Sequence, residues 1–220
     1  DADASSVFNS KWTGFEVLSV ETGANVTLNM LGLGNISKVT TLGANTLVLN
    51  NIADKGSLTY TGASTAATVN VTAATFNAAD SFNVNLNKAA AGAVGYGTTT
   101  LADVETVTIN TFDQVTAGST AAIDTATLVA TSATNVTVAG NNGLRLTNTG
   151  NVAITNFDAS GVVANGTADT AALLAVRFLS ANNTATDTVS IKGGAGADSL
   201  AGNAANVDTI IGNAGNDRIT

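Results

Sequence analysis

The amino-acid sequence predicts an all-β chain, a right-handed parallel β-solenoid. Three observations carry that expectation: short alternating triplets, their even spacing, and the chemistry of the corners between them. Apolar and polar residues alternate in Val17-Leu18-Ser19-Val20, Val26-Thr27-Leu28, Leu47-Val48-Leu49, Leu58-Thr59-Tyr60, Val69-Asn70-Val71 and Phe82-Asn83-Val84-Asn85-Leu86. The pattern resumes in Val104 to Ile109, Leu128-Val129, Val136-Thr137-Val138, Leu144-Arg145-Leu146 and Val152-Ala153-Ile154. Period two is the signature of strands with one buried face. From Leu47 to Leu58 to Val69 the step is 11 residues (58 − 47, 69 − 58), and from Val136 to Leu144 to Val152 it is 8 (144 − 136, 152 − 144). Even spacing suits a sandwich or antiparallel meander as well as stacked rungs. Hairpins favour Asn-Gly or Asp-Gly turns, and Asn142-Gly143 and Asn165-Gly166 are the only such pairs here, which points to rungs.

Composition agrees. Charged residues are 11% of the 220 positions, against about 25% in ordinary domains, so Thr, Asn and Ser keep the outside polar. A hydrophobic content of 45% argues against disorder. A narrow solenoid interior favours Val, Leu, Ile and Ala, its corners favour Gly and Asn, and the absence of Pro spares the ladder its missing donor.

The net charge of −8 comes from thirteen Asp and three Glu against eight Lys and Arg, so nucleic acid is not an expected partner. Asp is the acid that turns and calcium sites use. Without Cys there is no disulfide framework or thiolate zinc site. No run approaches the roughly 18 apolar residues of a membrane span, and Asp1-Ala2-Asp3 does not open a signal peptide. With no initiating Met and a repeat still running at Thr220, the chain reads as a fragment.

Two phrases echo each other, Gly14 to Val20 and Asp103 to Ile109, each placing a Glu (Glu16, Glu105) in an apolar strand. Those carboxylates read either as ligand or interface groups or as acceptors of backbone N–H at a strand start. The echo divides the chain into solenoid segments 1–100 and 101–181, followed by 182–220. Residues 161–181 hold either a short helix over Asp169–Leu179 or a strand over Ala175–Leu179; the strand is preferred because its neighbours are strands.

The last segment carries the most specific signal. Gly193-Gly194-Ala195-Gly196-Ala197-Asp198-Ser199-Leu200-Ala201 fits the nonapeptide G-G-x-G-x-D-x-U-x, U being a large apolar residue. Gly212-Asn213-Ala214-Gly215-Asn216-Asp217-Arg218-Ile219-Thr220 fits with Asn213 for the second Gly. Residues 202–210 and 182–190 are degenerate copies, with Asp208 and Asp187 in the acidic place. In this motif glycines let the turn take positive φ, the Asp supplies a carboxylate, and x-U-x is a short strand with a buried middle. Two nonapeptides make one circuit, so alternate copies stack, and Ca2+ between them can collect carbonyls and one Asp from each. On that register Asp198 pairs with Asp217, and Asp187 with Asp208. The alternative is a Gly/Asn-rich turn ladder with no metal.

At these residues the chain resembles the RTX (repeats-in-toxin) family of secreted calcium-binding proteins. With the phrases at 14–20 and 103–109 and the run Asn135 to Ala159, it resembles the C-terminal, lattice-forming half of RTX-type bacterial surface-layer (S-layer) proteins. The resemblance implies a calcium β-roll at the end of the solenoid, type I export, an extracellular location, and self-assembly into a two-dimensional sheet. It also implies contact with cell-surface polysaccharide through regions outside this chain, and no membrane insertion. Ala205 and the extra residue in 202–210 set that copy apart, while Asp158 and Asp169 stand as candidates for further calcium sites.

No catalytic residue is expected. The chain has no His, and a polysaccharide-active enzyme would need clustered carboxylates, such as Asp103, Asp113 and Asp124 meeting Lys88 on one face. An RTX adhesin or spacer module is the other alternative. Thr-x-Thr at Thr59, Thr106, Thr125 and Thr147 shares no rung period, as an ice-binding array would require. Trp12, Tyr60 and Tyr96 are too scattered for a sugar platform and are expected in packing roles.

Overall fold

The computed structural model describes residues 14–21, 23–33, 36–76, 79–89, 92–114, 123–166 and 169–220. Trp12 lies outside these residues. In chain order the strands are β1 (Val17–Val20), β2 (Asn25–Asn29), β3 (Lys38–Thr41), β4 (Thr46–Ile52), β5 (Ser57–Tyr60), β6 (Ala66–Val71), β7 (Ser81–Lys88), β8 (Gly95–Ala102) and β9 (Thr106–Asp113). They continue as β10 (Asp124–Val129), β11 (Asn135–Gly140), β12 (Leu144–Asn148), β13 (Asn156–Val162), β14 (Val176–Leu179), β15 (Thr188–Lys192), β16 (Ser199–Ala201), β17 (Val207–Ile211) and β18 (Arg218–Ile219). A single turn of 3-10 helix, Ala74–Phe76, is the only helix among the described residues.

Odd-numbered strands form one nine-stranded sheet and even-numbered strands the other, each hydrogen-bonded in chain order. Every pairing is parallel, for example Lys38 opposite Ser57 and Asn25 opposite Thr46. The chain is therefore a two-sheet parallel β-solenoid of about eight turns, each circuit laying one strand on each sheet. At about 4.8 Å per step the stack is roughly 40 Å long. The 11-residue step seen in the sequence is half a circuit, since Leu47, Leu58 and Val69 fall on β4, β5 and β6, on alternate sheets. Full circuits run from 19 residues (57 − 38) to 34 (190 − 156), the surplus going into corner loops.

Alternation sends Val39, Leu47, Leu49, Leu58, Val69, Val107, Val136 and Leu144 into one continuous core between the sheets. Tyr60 and Tyr96 pack there too, their ring centroids 5.9 Å apart, and Tyr60 Oη lies 2.8 Å from Thr99 Oγ1. Outward positions stack like on like. Asn70 Nδ2 donates to Asn50 Oδ1 at 2.7 Å, and Asn110 Nδ2 to Asn85 Oδ1 at 2.8 Å, each between residues in direct register. These amide ladders explain how the surface stays polar with little charge.

The preferred strand at 175–179 is present as β14. One expected strand is not. Val152-Ala153-Ile154 forms a turn, with Val152 exposed and Ile154 buried. Gly150, at φ 71°, and the buried Asn151 break the alternation there. Asn151 Oδ1 accepts the Ala130 N–H at 2.6 Å, and its Nδ2 donates to Leu128 O at 2.9 Å, which makes the residue a corner post. Both sheets pass without interruption through residues 100 and 181, because β8 contains residue 100 and β13 pairs with β15.

Between the sheets, the rings of Phe157 and Phe178 stack with centroids 3.8 Å apart and planes 6° from parallel. Phe157→Ala should cost about 3–5 kcal/mol in urea denaturation, whereas Leu179→Ala on the outer face should stay within about 0.5 kcal/mol.

Candidate functional site

Each corner interrupts the ladder and leaves backbone N–H groups to be satisfied. Side chains of the neighbouring rung supply the acceptors. Ser81 N–H donates to Asp54 Oδ1 at 2.8 Å, Asp80 N–H to Glu105 Oε2 at 2.9 Å, and Val94 N–H to Asp124 Oδ1 at 2.7 Å. Glu105 therefore acts as a backbone acceptor just before β9, the second of its two sequence readings. Glu16 precedes β1 and is exposed.

The nonapeptides use the same device twice over. Asp198, buried at the foot of β16, accepts Val176 N–H through Oδ1 at 2.7 Å and Gly194 N–H of its own turn through Oδ2 at 2.6 Å. Asp217 Oδ1 accepts Asp198 N–H at 3.0 Å, and Asp208 Oδ2 accepts Asn203 N–H at 2.7 Å. The x-U-x of the best copy is β16, with Leu200 fully buried. Burial pushes the Asp198 carboxyl above the usual carboxylate range. The negative Asp217 adds to that rise, and the two N–H donors oppose it.

The glycines serve a different purpose from the one the motif suggests. Of the expected metal-loop residues, only Asn213 (φ 67°) and Gly215 (φ 113°) have positive φ. Gly193 is required because a Cβ there would collide with the Asp198 carboxylate folded over it, and Gly212 stands in the same relation to Asp217. Gly196 is pressed against the Leu174–Ala175 backbone of the neighbouring rung. Close approach, rather than left-handed backbone, selects glycine at these three places.

Register brings one expected pair together and separates the other. Ser199 lies opposite Arg218, so Asp198 and Asp217 are adjacent at 19 residues (217 − 198), the length of this circuit. Asp187 and Asp208 are 21 apart (208 − 187), whereas their circuit is also 19, with Val189 opposite Asp208. The extra residues displace the pairing by two. Asp187 Oδ2 instead accepts Asn182 Nδ2 at 2.9 Å. Asp208 Oδ1 is buried with no hydrogen-bond partner.

The acidic groups at this corner are the Asp198 and Asp217 carboxylates, one circuit apart, so their chemistry is that of hard oxygen donors. That chemistry fits a hard cation such as Ca2+. In the arrangement seen, Gly193 O accepts Asn213 Nδ2 at 2.6 Å and Gly194 O accepts Ala214 N–H at 3.3 Å. Ala195 N–H donates to Val162 O at 2.9 Å. Among the described residues no group of three or more His, Cys, Asp or Glu converges, so a cation at this corner would draw most of its ligands from carbonyls. Asp158 is engaged by Ser160 and by Lys192 Nζ at 3.2 Å, and Asp169 Oδ2 accepts Asn165 N–H at 2.7 Å.

A second polar assembly sits inside the solenoid. Lys88 continues the inward series Phe82, Val84 and Leu86 on β7, and Asp113 continues Val107, Ile109 and Thr111 on β9. The two are in direct register, with Nζ 3.6 Å from Asp113 Oδ2 and 3.7 Å from Asp124 Oδ1 on the facing sheet. Asn142 Nδ2 donates to Asp124 Oδ2 at 2.6 Å. Burial first, then the charges of Asp124 and Asp113, push the Tyr96 hydroxyl well up. Asp103 does not join them. It is held by Thr75 at 3.0 Å and Ser132 at 3.5 Å. The signal for this layer was present in the sequence as charged residues at inward-facing positions.

No protein-family model and no curated protein matches this chain.

Asp198→Ala would strand two buried N–H groups and should cost about 3 kcal/mol in denaturation with chelator present, against less than about 1 kcal/mol for Asp217→Ala. Because the folded Asp198 carboxyl lies above its unfolded value, its contribution is full below about pH 3.8 and is lost as pH rises through the folded value. Urea midpoints in chelator should show the advantage of wild type over Asp198→Asn shrinking from pH 4 towards neutrality.

Proposed function

We propose that this chain is a structural piece of a secreted, RTX-type calcium-dependent surface-layer protein that assembles with copies of itself into a two-dimensional lattice outside the cell. One observation carries the reading: the carboxylates of two glycine-rich nonapeptides, Asp198 and Asp217, stack one circuit apart at the corner of a parallel solenoid. Two anionic side chains held side by side repel, and a divalent cation with carbonyl co-ligands relieves that repulsion. With a dissociation constant of ~0.1 mM and ~1 mM external calcium, each such site contributes about 1.4 kcal/mol.

The faces also suit this role. Registered Asn pairs, Asn50 with Asn70 and Asn85 with Asn110, present a polar, uncharged surface on both sheets. Lys88, Asp113 and Asp124 meet inside the solenoid with side chains 0%, 7% and 1% exposed, where a polysaccharide cannot touch them. Their enclosure weighs against the hydrolase reading that their clustering would otherwise favour.

Titration of Ca2+ into chelator-treated protein, followed by circular dichroism and negative-stain electron microscopy, tests the proposal. Gain of β signal with ordered sheets or strips is the expected result, and Asp198→Asn combined with Asp217→Asn should raise the calcium needed. Calcium-induced folding that stays monomeric at high concentration would favour an adhesin or spacer module. Indifference to calcium would remove the metal and the family reading together.

A further inference from the structure

The interior of this solenoid is apolar at most levels among the described residues, and the charged layer of Lys88, Asp113 and Asp124 has the makings of a covalent bond. We propose that Lys88 and Asp124 condense spontaneously in the folded protein into an intramolecular isopeptide (amide) cross-link, with Asp113 as the proton relay. The proposal is independent of calcium and of the lattice.

Geometry is the first argument. Lys88 closes β7 on one sheet and Asp124 opens β10 on the other, and the Lys88 side chain bridges the interior between them. Its Nζ lies 3.7 Å from Asp124 Oδ1 and 3.6 Å from Asp113 Oδ2, both longer than the 2.7–2.9 Å typical of a charge-assisted hydrogen bond. Holding amine and carboxyl together in the folded chain makes their condensation intramolecular, and a small further approach brings Nζ to the near-attack distance of about 3–3.5 Å.

The environment of the carboxyl is the second. Both Asp124 oxygens are held by N–H donors, Oδ1 by Val94 N–H at 2.7 Å and Oδ2 by Asn142 Nδ2 at 2.6 Å. Asn142 is fixed in turn by Thr111 Oγ1, which donates to its carbonyl at 2.6 Å. These donors orient Cγ and stabilise the oxyanion that forms when an amine adds to it. Val94 and Asn142 are positioning residues. Burial favours the uncharged acid at Asp124, the form that can lose a hydroxyl as water.

The third is the relay. Asp113 is in register with Lys88, and its backbone is pinned from both sides: its N–H donates to Asn141 Oδ1 at 2.9 Å and its carbonyl accepts Asn141 Nδ2 at 3.1 Å. The step balances. Ionised Asp113 takes a proton from the Lys88 ammonium, and the neutral amine adds to Cγ of protonated Asp124 to give a tetrahedral intermediate. Asp113 returns a proton to the departing hydroxyl and accepts one from nitrogen. The Nζ–Cγ bond forms, one Cγ–O bond breaks, one water leaves, and Asp113 ends protonated. No oxidant, metal or cofactor is involved. The Lys88 ammonium becomes part of a neutral amide and the Asp113 carboxylate ends as a neutral acid, which removes the desolvation cost of keeping the two ionised. The product staples the two sheets in mid-stack.

The test is the intact mass of the full 220-residue chain, purified folded by circular dichroism and then denatured. It should be lighter by one water, and a protease digest should contain a branched peptide joining Lys88 to Asp124. Lys88→Met, Asp124→Ala and Asp113→Ala should each restore the full mass. Full mass in folded wild type, with Lys88 and Asp124 recovered in linear peptides, overturns the proposal. So does loss of water without a branched peptide, as cyclic imide formation would give, or a branch that maps to Asp113.

Discussion

The structure depends on a parallel backbone ladder that must turn twice per circuit without abandoning its hydrogen bonds. Along the strands, each rung satisfies the next. At the corners the ladder breaks, and a short side-chain acceptor from the adjacent rung closes the gap. Asp54, Glu105, Asp124, Asn151, Asp198 and Asp217 all do this. That requirement explains the composition better than a search for ligands. Asp and Asn reach a backbone N–H from one carbon away, which is why Asp outnumbers Glu and Asn is abundant.

The same requirement sets the chemistry of the nonapeptide corner. An Asp that closes its own turn and caps the rung beside it is held rigidly, partly desolvated, and next to another Asp one circuit away. Its carboxylate is stabilised by N–H donors and destabilised by burial and by its neighbour. A cation at this place would relieve the repulsion without needing to create the turn. The turn itself is closed by hydrogen bonds from Gly194 and Val176 N–H to Asp198.

Charge inside the stack obeys a different balance. Inward positions at the ends of β7 and β9 hold Lys88 and Asp113 where the pattern calls for another apolar residue. Leaving one such group alone would cost several kcal/mol, and a register-paired opposite charge with a third group facing it makes the layer tolerable. Local rules are broken here, and proteins tend to break them where chemistry is done.

What the sequence determined by itself was the strand period, the parallel solenoid class, the placement of β14 and β16, and the acidic corner at Asp198 and Asp217. These follow from local alternation and from a 19-residue circuit that equals two nonapeptides and one residue more. Tertiary structure decided the rest. Whether Val152-Ala153-Ile154 forms a strand depended on Asn151 bonding to residues 128 and 130, a contact that no local pattern encodes. The separation of Asp187 from Asp208 followed from a circuit shorter than their spacing. Gly193 was fixed by where a carboxylate folds rather than by φ. The meeting of Lys88, Asp113 and Asp124 required two sheets to face each other, and one-dimensional periodicity carries no information about which residues lie across the gap.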